Sequence, residues 1–323
     1  MSAADTAPPP GACRIRQIDG AIWQMEQTLA PGIPLHVHLV KGETAVLIDT
    51  GLASTFPHIE RLLATAGVPA PDVRLVLLTH PHHDHIGSNR QVRRATGALF
   101  AAPRGAEPWI EDHERQLREF ALHHPDLIPD TPALRAETIA TMDGPLRVDL
   151  QIGEGFRADL GAGVSLEAIA LPGHLPWELG YVEAASGTLI LGDAVTGYDW
   201  PLFHGHVLPG AYRTTLRRLR ALTRDRPIRR VLPAHFPALT GDAFLALLDR
   251  VEAYLDAVDA AVAGEVQRAG EADLATVWRG VCAAMDKEPE FRALVTVEAH
   301  LRELLERGAI VRSGPERYTW VAG

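Results

Sequence analysis

Residues 79–87 form the segment of this chain best suited to chemistry, and they read Thr-His-Pro-His-His-Asp-His-Ile-Gly. The segment follows directly on an apolar run at residues 73–78, which predicts a buried strand. A strand that ends in a short polar loop holds the backbone still while several side chains converge on one point. Imidazole and carboxylate groups are ligands that zinc prefers, and iron and manganese also accept them. The segment therefore predicts a metal site, and a solvated histidine-rich loop is the weaker interpretation.

Four other apolar segments end in a residue type that binds metals. Each has the composition of a short buried strand, and each places a histidine or an aspartate where the strand gives way to a loop. They read Val-Leu-Ile-Asp-Thr-Gly at residues 46–51, Leu-Pro-Gly-His at 171–174, Leu-Ile-Leu-Gly-Asp at 189–193 and Val-Leu-Pro-Ala-His at 231–235. Because all of these segments end strands, we expect their polar residues to meet at one edge of the fold.

The spacing His-x-His-x-Asp-His at residues 80–85 and the order of the other segments resemble the motifs of the metallo-β-lactamase superfamily. The resemblance covers residues 14–240. It implies an α/β (α+β) fold, the αββα sandwich, in which two sheets pack face to face under outer helices. It also implies a dinuclear site with two Zn²⁺ ions per chain, iron or manganese being the alternatives. The implied ligands are His80, His82 and His174 for the first metal, Asp84, His85 and His235 for the second, and Asp193 as the bridge.

The resemblance implies a hydrolase in which a metal-bridging hydroxide attacks a carbonyl carbon. Asp84 would be both a metal ligand and the catalytic proton shuttle. An aspartate at position 193 is typical of the glyoxalase-II, lactonase and nuclease branches rather than of the true β-lactamases. Residues 234–237 read Ala-His-Phe-Pro, whereas the glutathione-thioesterase branch has Gly-His-Glu-Tyr there. We therefore predict an enzyme that cleaves an ester, lactone or thioester bond of a small molecule.

Three other functions stay open. An endoribonuclease of the same superfamily is suggested by the C-terminal segment and by a basic stripe described below. An iron-dependent sulfur dioxygenase is an alternative because some of those enzymes keep the same histidine motif with fewer ligands. A non-enzymatic, metal-stabilised binding protein is the third alternative, and the full set of ligands argues against it. The number and identity of the bound metals would separate several of these functions.

Alternating strand and helix patterns surround the motifs. We predict strands at residues 33–40, 44–48, 73–78, 164–170, 179–183, 188–191 and 228–232, and helices at 53–66, 87–96, 111–122, 212–222 and 244–258. Residues 1–13 are expected to be a disordered leader and 14–240 the catalytic domain, with 103–145 inserted as a helical cap. Residues 241–323 are expected to form a C-terminal helical module that resembles a winged helix.

Aromatic residues and a histidine near the motifs are candidates for the substrate pocket, which would then favour an apolar or aromatic acyl group. Ordinary packing of loops against the sandwich is the alternative for each of them. His83 is expected to lie outside the ligand set, and so are His123 and His124. The pocket candidates are Trp109, Trp177, Tyr198, Trp200 and His204.

The charge pattern bears on the partners. Residues 213–230 hold eight arginines and one aspartate, a stripe that could attract RNA or an anionic coenzyme or could be a solvated face. Residues 271–323 hold nine acidic and seven basic residues, a net charge of about −2, within a chain of net charge −10. Phosphate binding needs clustered cations, so we expect a small-molecule substrate and no binding of nucleic acid.

The composition is that of an ordinary globular protein, with 46% hydrophobic and 22% charged residues in 323. No apolar run reaches the length of a membrane span, so we expect no membrane partner. The first residues lack the features of a secretory signal. Cys13 and Cys282 are two isolated cysteines, which favours a reducing compartment, and we expect a cytoplasmic monomer or homodimer.

Overall fold

The computed structural model describes residues 11–195, 197–315 and 317–321. It contains two large sheets and a small third one. The first sheet has the order β1 (Cys13–Gln17), β2 (Ile22–Ala30), β3 (Ile33–Lys41), β4 (Ala45–Ile48), β5 (Val73–Leu77), β6 (Leu99–Pro103) and β7 (Leu150–Ile152). The second has the order β13 (Leu239–Thr240), β12 (Arg230–Leu232), β11 (Thr188–Leu191), β10 (Leu179–Glu183), β9 (Ser165–Ala170) and β8 (Arg157–Asp159).

The two large sheets pack face to face around an apolar layer. Ile48 and Leu77 from the first sheet meet Tyr181, Ile190 and Leu232 from the second. The hydroxyl of Tyr181 donates a hydrogen bond to the carbonyl oxygen of residue 78 at 2.7 Å and joins the sheets at the end of β5. Alternation of apolar side chains along each strand produces this inner face.

Helices cover both outer faces, so the αββα sandwich predicted from the sequence is confirmed. Ile59 and Leu62 of one helix and Val92 of another pack on the outside of the first sheet. Tyr212 and Leu216 lie on the outside of the second. These helices are α1 (Phe56–Ala66), α2 (His83–Ile86) and α3 (Asn89–Thr96) beside the first sheet, and α7 (Pro209–Asp225) beside the second.

Strand directions bring the polar strand ends to one edge. Strands β4 and β5 are parallel, so Asp49 and His80 follow neighbouring strands at the same edge. Strand β10 is antiparallel to β9 and to β11, and β11 is parallel to β12. Strands β9, β11 and β12 therefore point the same way, and His174, Asp193 and His235 all lie just beyond their ends.

The cap is helical but is not built around one helix at residues 111–122. Its helices are α4 (Glu107–Glu111), α5 (His113–Glu119) and α6 (Pro132–Glu137). Asp112 separates the first two because its backbone is extended, and its side chain accepts a hydrogen bond from the backbone N–H of Arg115. An aspartate in this conformation caps a new helix rather than continuing the old one.

The C-terminal segment forms a compact unit against the sandwich. Its first helix runs on well past residue 258, because Val262 and Val266 extend the same apolar stripe. The helices are α8 (Gly241–Ala269), α9 (Leu274–Ala284) and α10 (Phe291–Glu306), and the strands of the third sheet are β14 (Glu271–Asp273), β16 (Arg317–Trp320) and β15 (Ile310–Gly314) in that order. Helices α9 and α10, followed by the hairpin of β15 and β16, have the order expected for a winged-helix-like module.

The remaining expectations concern the N-terminus, the cysteines and membrane spans. Residues 1–10 of the leader predicted over residues 1–13 lie outside the described residues, and Cys13 is not part of such a leader, because it is the first residue of β1. Both cysteines are free thiols. Among the described helices, each is too short or too polar to cross a membrane.

Candidate metal centre

Four buried side chains converge at the edge where β5, β9 and β11 end. Nδ1 of His82 lies 3.2 Å from Nε2 of His80 and 2.8 Å from Nε2 of His174. Oδ2 of Asp193 lies 3.5 Å from Nε2 of His174 and 3.8 Å from Nε2 of His80. These three histidines and one aspartate form the first donor group.

A second group lies beside the first. Nε2 of His235 is 3.3 Å from Oδ2 of Asp84, and Nε2 of His85 is 3.8 Å from the same oxygen. Oδ1 of Asp193 faces this group, 3.2 Å from Nε2 of His235 and 3.4 Å from Nε2 of His85. Asp193 therefore presents one oxygen to each group, as a bridging carboxylate would.

The donors fit divalent cations. Ligand atoms around one tetrahedral zinc lie about 3.3 Å apart, because each metal–nitrogen distance is about 2.0–2.1 Å. The separations within the two groups lie on both sides of that value, from 2.8 to 3.8 Å. Nε2 of His85 and Oδ1 of Asp193 are buried and have no hydrogen-bond partner among the described residues. Buried polar atoms without a partner are costly, and a cation between them would remove that cost.

Hydrogen bonds behind the donors fix the imidazole tautomers. Nδ1 of His85 donates to Oδ2 of Asp49 at 2.8 Å, and Nδ1 of His235 donates to the carbonyl oxygen of Pro34 at 2.9 Å. Nδ1 of His80 lies 3.1 Å from the hydroxyl of Thr79 and 3.4 Å from a carboxylate oxygen of Glu178. With Nδ1 protonated, the lone pair of Nε2 is left for a metal.

The motif also needs a glycine at its end. Gly87 follows α2, and a Cβ atom there would lie 2.6 Å from the carbonyl oxygen of Gly51. The backbone N–H of Gly87 donates a hydrogen bond to that oxygen, also at 2.6 Å. The loop after β4 and the histidine motif after β5 are thereby held together, and a larger residue would push them apart.

The charges of the site combine neutral and protonated imidazoles with ionised carboxylates. Burial lowers the pKa of His80 and of His174 well below 6.5, so both are in the form that binds metals. Burial also lowers the pKa of His235, but Asp193 and Asp84 outweigh it and raise that pKa to about 10. Burial raises the pKa of Asp193, yet His235, His204 and His85 outweigh this effect and lower it well below 3.8.

A cavity of about 370 Å³ opens beside the donors, within the usual size range of small-molecule sites. His82, Asp84, His174, Asp193 and His235 line it together. Mostly apolar side chains from the β2–β3 turn, the cap, the loop after β11 and helix α10 form much of the remaining wall. The structure thus places the donors where a small molecule could reach them.

Two of the five predicted pocket residues, Trp200 and His204, line this cavity. The other three do not line it, and packing explains why. Trp109 is buried and donates a hydrogen bond to Glu119 at 2.7 Å, and Trp177 packs edge-on against it with ring centres 5.2 Å apart. Tyr198 lies under the guanidinium of Arg250 and packs on the apolar core of the C-terminal unit.

Other histidines take the places expected of non-ligands. His83 lies outside both donor groups but lines the cavity. His123 and His124 lie in the cap, and each has Nε2 within 3.6 Å of a carboxylate oxygen of Glu298 on α10. They connect the cap to the C-terminal unit, away from the two donor groups.

Three features of the site were not predicted from the sequence. Glu178 reaches His80 from behind, and its only sequence signal is its place shortly after His174. The cap residue Phe120 lies against His82, and Phe291 and Arg292 reach the cavity from the C-terminal unit. No local pattern announces the last two, because their position depends on how α10 packs.

Known proteins resemble this chain in sequence and in fold. The family model of the metallo-beta-lactamase superfamily matches residues 32–235, well over half of the chain. Uncharacterized protein YobT of Bacillus subtilis (strain 168) is 29% identical over 176 residues, which span 54% of this chain and 66%, just under two thirds, of that protein. Hydroxyacylglutathione hydrolase GloC of Haemophilus influenzae is 25% identical over 181 residues, which span 54% of this chain and 74% of that protein.

The fold likeness extends further along the chain. The crystal structure of a metallo-beta-lactamase family protein from Thermus thermophilus superposes with a TM-score of 0.74 at 21% identity, covering 94% of this chain and 100% of that one. At this identity the likeness concerns the fold alone. Taken with the family model, which spans all seven donor residues, it leads to one conclusion: the chain belongs to the metallo-beta-lactamase superfamily.

Proposed function

We propose that this protein is a dinuclear, metal-dependent hydrolase that cleaves an ester, lactone or thioester bond of a small molecule. The observation that carries the proposal is the position of Asp193. Its two carboxylate oxygens face two different groups of buried donors at one end of an apolar cavity. Hydrolysis at a carbonyl needs an activated water and a site that excludes bulk solvent, and this arrangement supplies room for both.

The protein's residues have distinct roles in this proposal. The two donor groups would each hold a divalent cation, and such cations lower the pKa of a bound water and polarise a carbonyl oxygen. Asp84 is buried, but the imidazoles of His85, His83 and His235 keep its pKa well below 3.8, so it is ionised as a metal donor must be, and we propose it also as the proton shuttle. Nε2 of His204 lies 2.9 Å from Oδ2 of Asp193, where it would orient the bridging carboxylate.

The similarity to GloC, which is named as a hydroxyacylglutathione hydrolase, supports a thioester as one of the bonds cleaved. The sequence around His235 differs from the run typical of glutathione thioesterases, since Phe236 and Pro237 follow it. We therefore keep the wider class of ester, lactone and thioester. All three present a carbonyl carbon with a leaving group that departs more readily than an amine.

An endoribonuclease would need free cations along the arginine stripe, and most of the stripe is paired with acids. Arg213 contacts two aspartates of α8, and Arg220 contacts an aspartate and a glutamate of the same helix. Such pairs leave little net charge to attract a phosphate backbone. The further pairs are Arg218 with Glu154, Arg226 with Glu167 and Arg230 with Asp19.

The test is to measure metal content and hydrolysis together. We expect zinc-loaded protein to hold two zinc ions per chain and to cleave at least one of a neutral aryl ester, a lactone and a thioester. Asp84→Ala should lose activity by about a hundredfold or more, because it removes both a donor and a proton acceptor. His83→Ala alters the neighbouring residue of the same motif, and it should retain both metals because His83 belongs to neither group.

Three outcomes would contradict the proposal. One is full activity of Asp84→Ala at full metal content. The second is a single bound iron with oxidation of a thiol substrate, which would point to the dioxygenase. The third is metal-dependent cleavage of RNA, with binding that weakens steeply as salt rises, and no cleavage of the three small substrates.

A further inference from the structure

The cavity extends from the metal donors to the C-terminal unit along a row of rings. The ring of Phe120 in the cap lies 4.6 Å from the ring of His82, and Phe291 at the start of α10 lies edge-on to Phe120 at 5.6 Å. Phe291 is 4% exposed and lines the cavity. Helix α10 of the C-terminal unit therefore forms the cavity wall at the end of this row, opposite His82.

Most walls of the cavity are apolar, and the uncharged polar side chains on them, Gln116, Thr138 and Thr141, each donate a hydrogen bond to a backbone carbonyl oxygen. Leu117 and Phe120 come from the cap, Ile33 from the start of β3, and Phe203 from the loop after β11. Leu117, Phe203 and Phe291 are almost fully buried within the apolar clusters of the protein. The apolar walls bind hydrocarbon by excluding water from it.

The charged groups along the cavity, within the described part of the chain, neutralise one another. Apart from the donor groups and His83 and His204, they are Glu137 and Arg292. Arg292 donates to Glu137 at 2.5 Å and to Glu290 at 2.7 Å, so one guanidinium serves two carboxylates. An anionic substrate would meet no unpaired cation here, and burying an unpaired charge is costly.

We propose that the cavity binds an uncharged, apolar acyl arm and that Phe291 of the C-terminal unit limits its length. This inference rests on the proposed function, since it names the substrate class of the same site. The carbonyl group lies at the donor end, and the arm follows Phe120 towards Phe291. An acyl arm that ends in a carboxylate would bury that charge beside no unpaired cation, so it makes a poorer substrate than a neutral arm with the same number of carbon atoms.

The first experiment varies the length of the arm. Zinc-loaded protein is assayed with 4-nitrophenyl acetate, butyrate, hexanoate, octanoate and decanoate. We expect kcat/KM to rise by about three- to fourfold for each added methylene, which corresponds to burial of that group, until the arm reaches Phe291 and the value falls. Phe291→Ala should move the optimum to a longer arm, and Phe291→Trp to a shorter one.

A matched control separates the effect of the cavity wall on substrate length from a general effect on the stability of α10. Leu294 lies on the same helix, is 1% exposed, and packs inside the C-terminal unit rather than on the cavity. Leu294→Ala should keep the length profile of the wild-type protein. If Phe291→Ala does not fold, Phe291→Leu provides a smaller shift in the same direction, and Phe291→Trp tests the opposite direction independently.

Binding without turnover provides a second readout. Calorimetric titration of the metal-free protein with unreactive methyl ketones of the same chain lengths should show the same optimum and the same shifts. The charge is tested with the N-acetylcysteamine thioesters of hexanoate and of adipate, because the adipate arm has the same number of carbon atoms but ends in a carboxylate. We expect kcat/KM to be at least about tenfold higher for the neutral compound, as one unpaired buried charge would predict.

The outcomes distinguish this inference from the proposed function. If none of the esters and thioesters is cleaved, the proposed function fails. If they are cleaved, but both Phe291 variants keep the wild-type length profile, Phe291 does not limit the arm. If the adipoyl thioester is the better substrate, the cavity accepts charge and the proposed substrate class is wrong.

Discussion

Asp193 is the residue on which both donor groups depend, because it supplies one oxygen to each. Within the two groups, the other donor carboxylate is that of Asp84, and the remaining donors are imidazoles. Two carboxylates cannot neutralise two divalent cations. The loaded site would therefore carry excess positive charge and favour a hydroxide and a developing oxyanion near it.

The residues behind the donors should matter almost as much as the donors. Asp49 accepts hydrogen bonds from Nδ1 of His85 and from the backbone N–H and hydroxyl of Thr79, each at 2.8 Å. It holds the loop and sets the tautomer of His85 at once. We predict that Asp49→Asn lowers zinc affinity by about 10- to 100-fold, because the amide carries no charge to orient the imidazole.

The measurement for this prediction is competition for zinc with a chromophoric chelator. Asp273→Asn is the control, since Asp273 also accepts a backbone hydrogen bond, at 2.8 Å from the N–H of Thr276, but lies in the C-terminal unit. It should leave zinc affinity at the wild-type value. Equal affinities for Asp49→Asn and wild type would show that the hydrogen bond does not tune the site.

At the scale of elements, strands were easier to predict than helices. The predicted strand at residues 33–40 is β3 with one residue added, and that at 188–191 has the same bounds as β11. Buried strands are continuous apolar runs, so their limits are visible in the sequence. The cap was harder, because Asp112 fits inside a helical pattern and yet caps a new helix. Only the tertiary position of α5 decides between the two.

Helix α5 carries a buried histidine that should make stability depend on pH. Burial lowers the pKa of His113 to about 4, and the nearby Asp112 offsets only part of this effect. The unfolded chain binds the proton with a pKa of about 6.5, so the unfolded state gains protons first as the pH falls. The contribution of His113 to the free energy of unfolding is therefore fully present above pH 6.5. It falls by about 3 kcal/mol as the pH decreases towards 4.

Urea unfolding at several pH values tests this prediction. Between pH 7 and pH 4 the free energy of unfolding should fall more steeply for wild type than for His113→Gln, by up to about 3 kcal/mol. Loss of metal ligands by protonation is common to both proteins and cancels in the difference. His123→Gln removes a cap histidine whose side chain is 47% exposed, and should keep the wild-type slope. Parallel curves for wild type and His113→Gln would contradict the prediction.

For the whole molecule, the sequence predicted the donors far better than the cavity. One short segment holds four of the donors, His80, His82, Asp84 and His85. Their spacing is a local pattern that can be recognised without knowledge of the fold. Phe291 lies more than 200 residues further along the chain and reaches the cavity only because α10 packs on the cap. A contact of that kind leaves no periodic signal in the sequence.

The donors also link the two sheets of the sandwich. Those of residues 80–85 follow β5 in the first sheet, and His174, Asp193 and His235 follow strands of the second. Without a cation, the buried carboxylates hold a proton on His235, whose pKa is about 10. A cation that replaces this proton binds the folded chain only, because the unfolded chain does not bring the two halves together.

We therefore predict that metal removal lowers the melting temperature. At free zinc about a hundredfold above the dissociation constant, each site adds about 2.7 kcal/mol, so a chelator should lower the midpoint by about 5–10 °C. The shift should grow with the logarithm of the free zinc concentration, which differential scanning calorimetry in zinc buffers measures. His235→Ala removes a donor from one group only and should show about half the shift. An unchanged midpoint in protein from which all metal has been removed would mean that the donors are held in place by the fold alone.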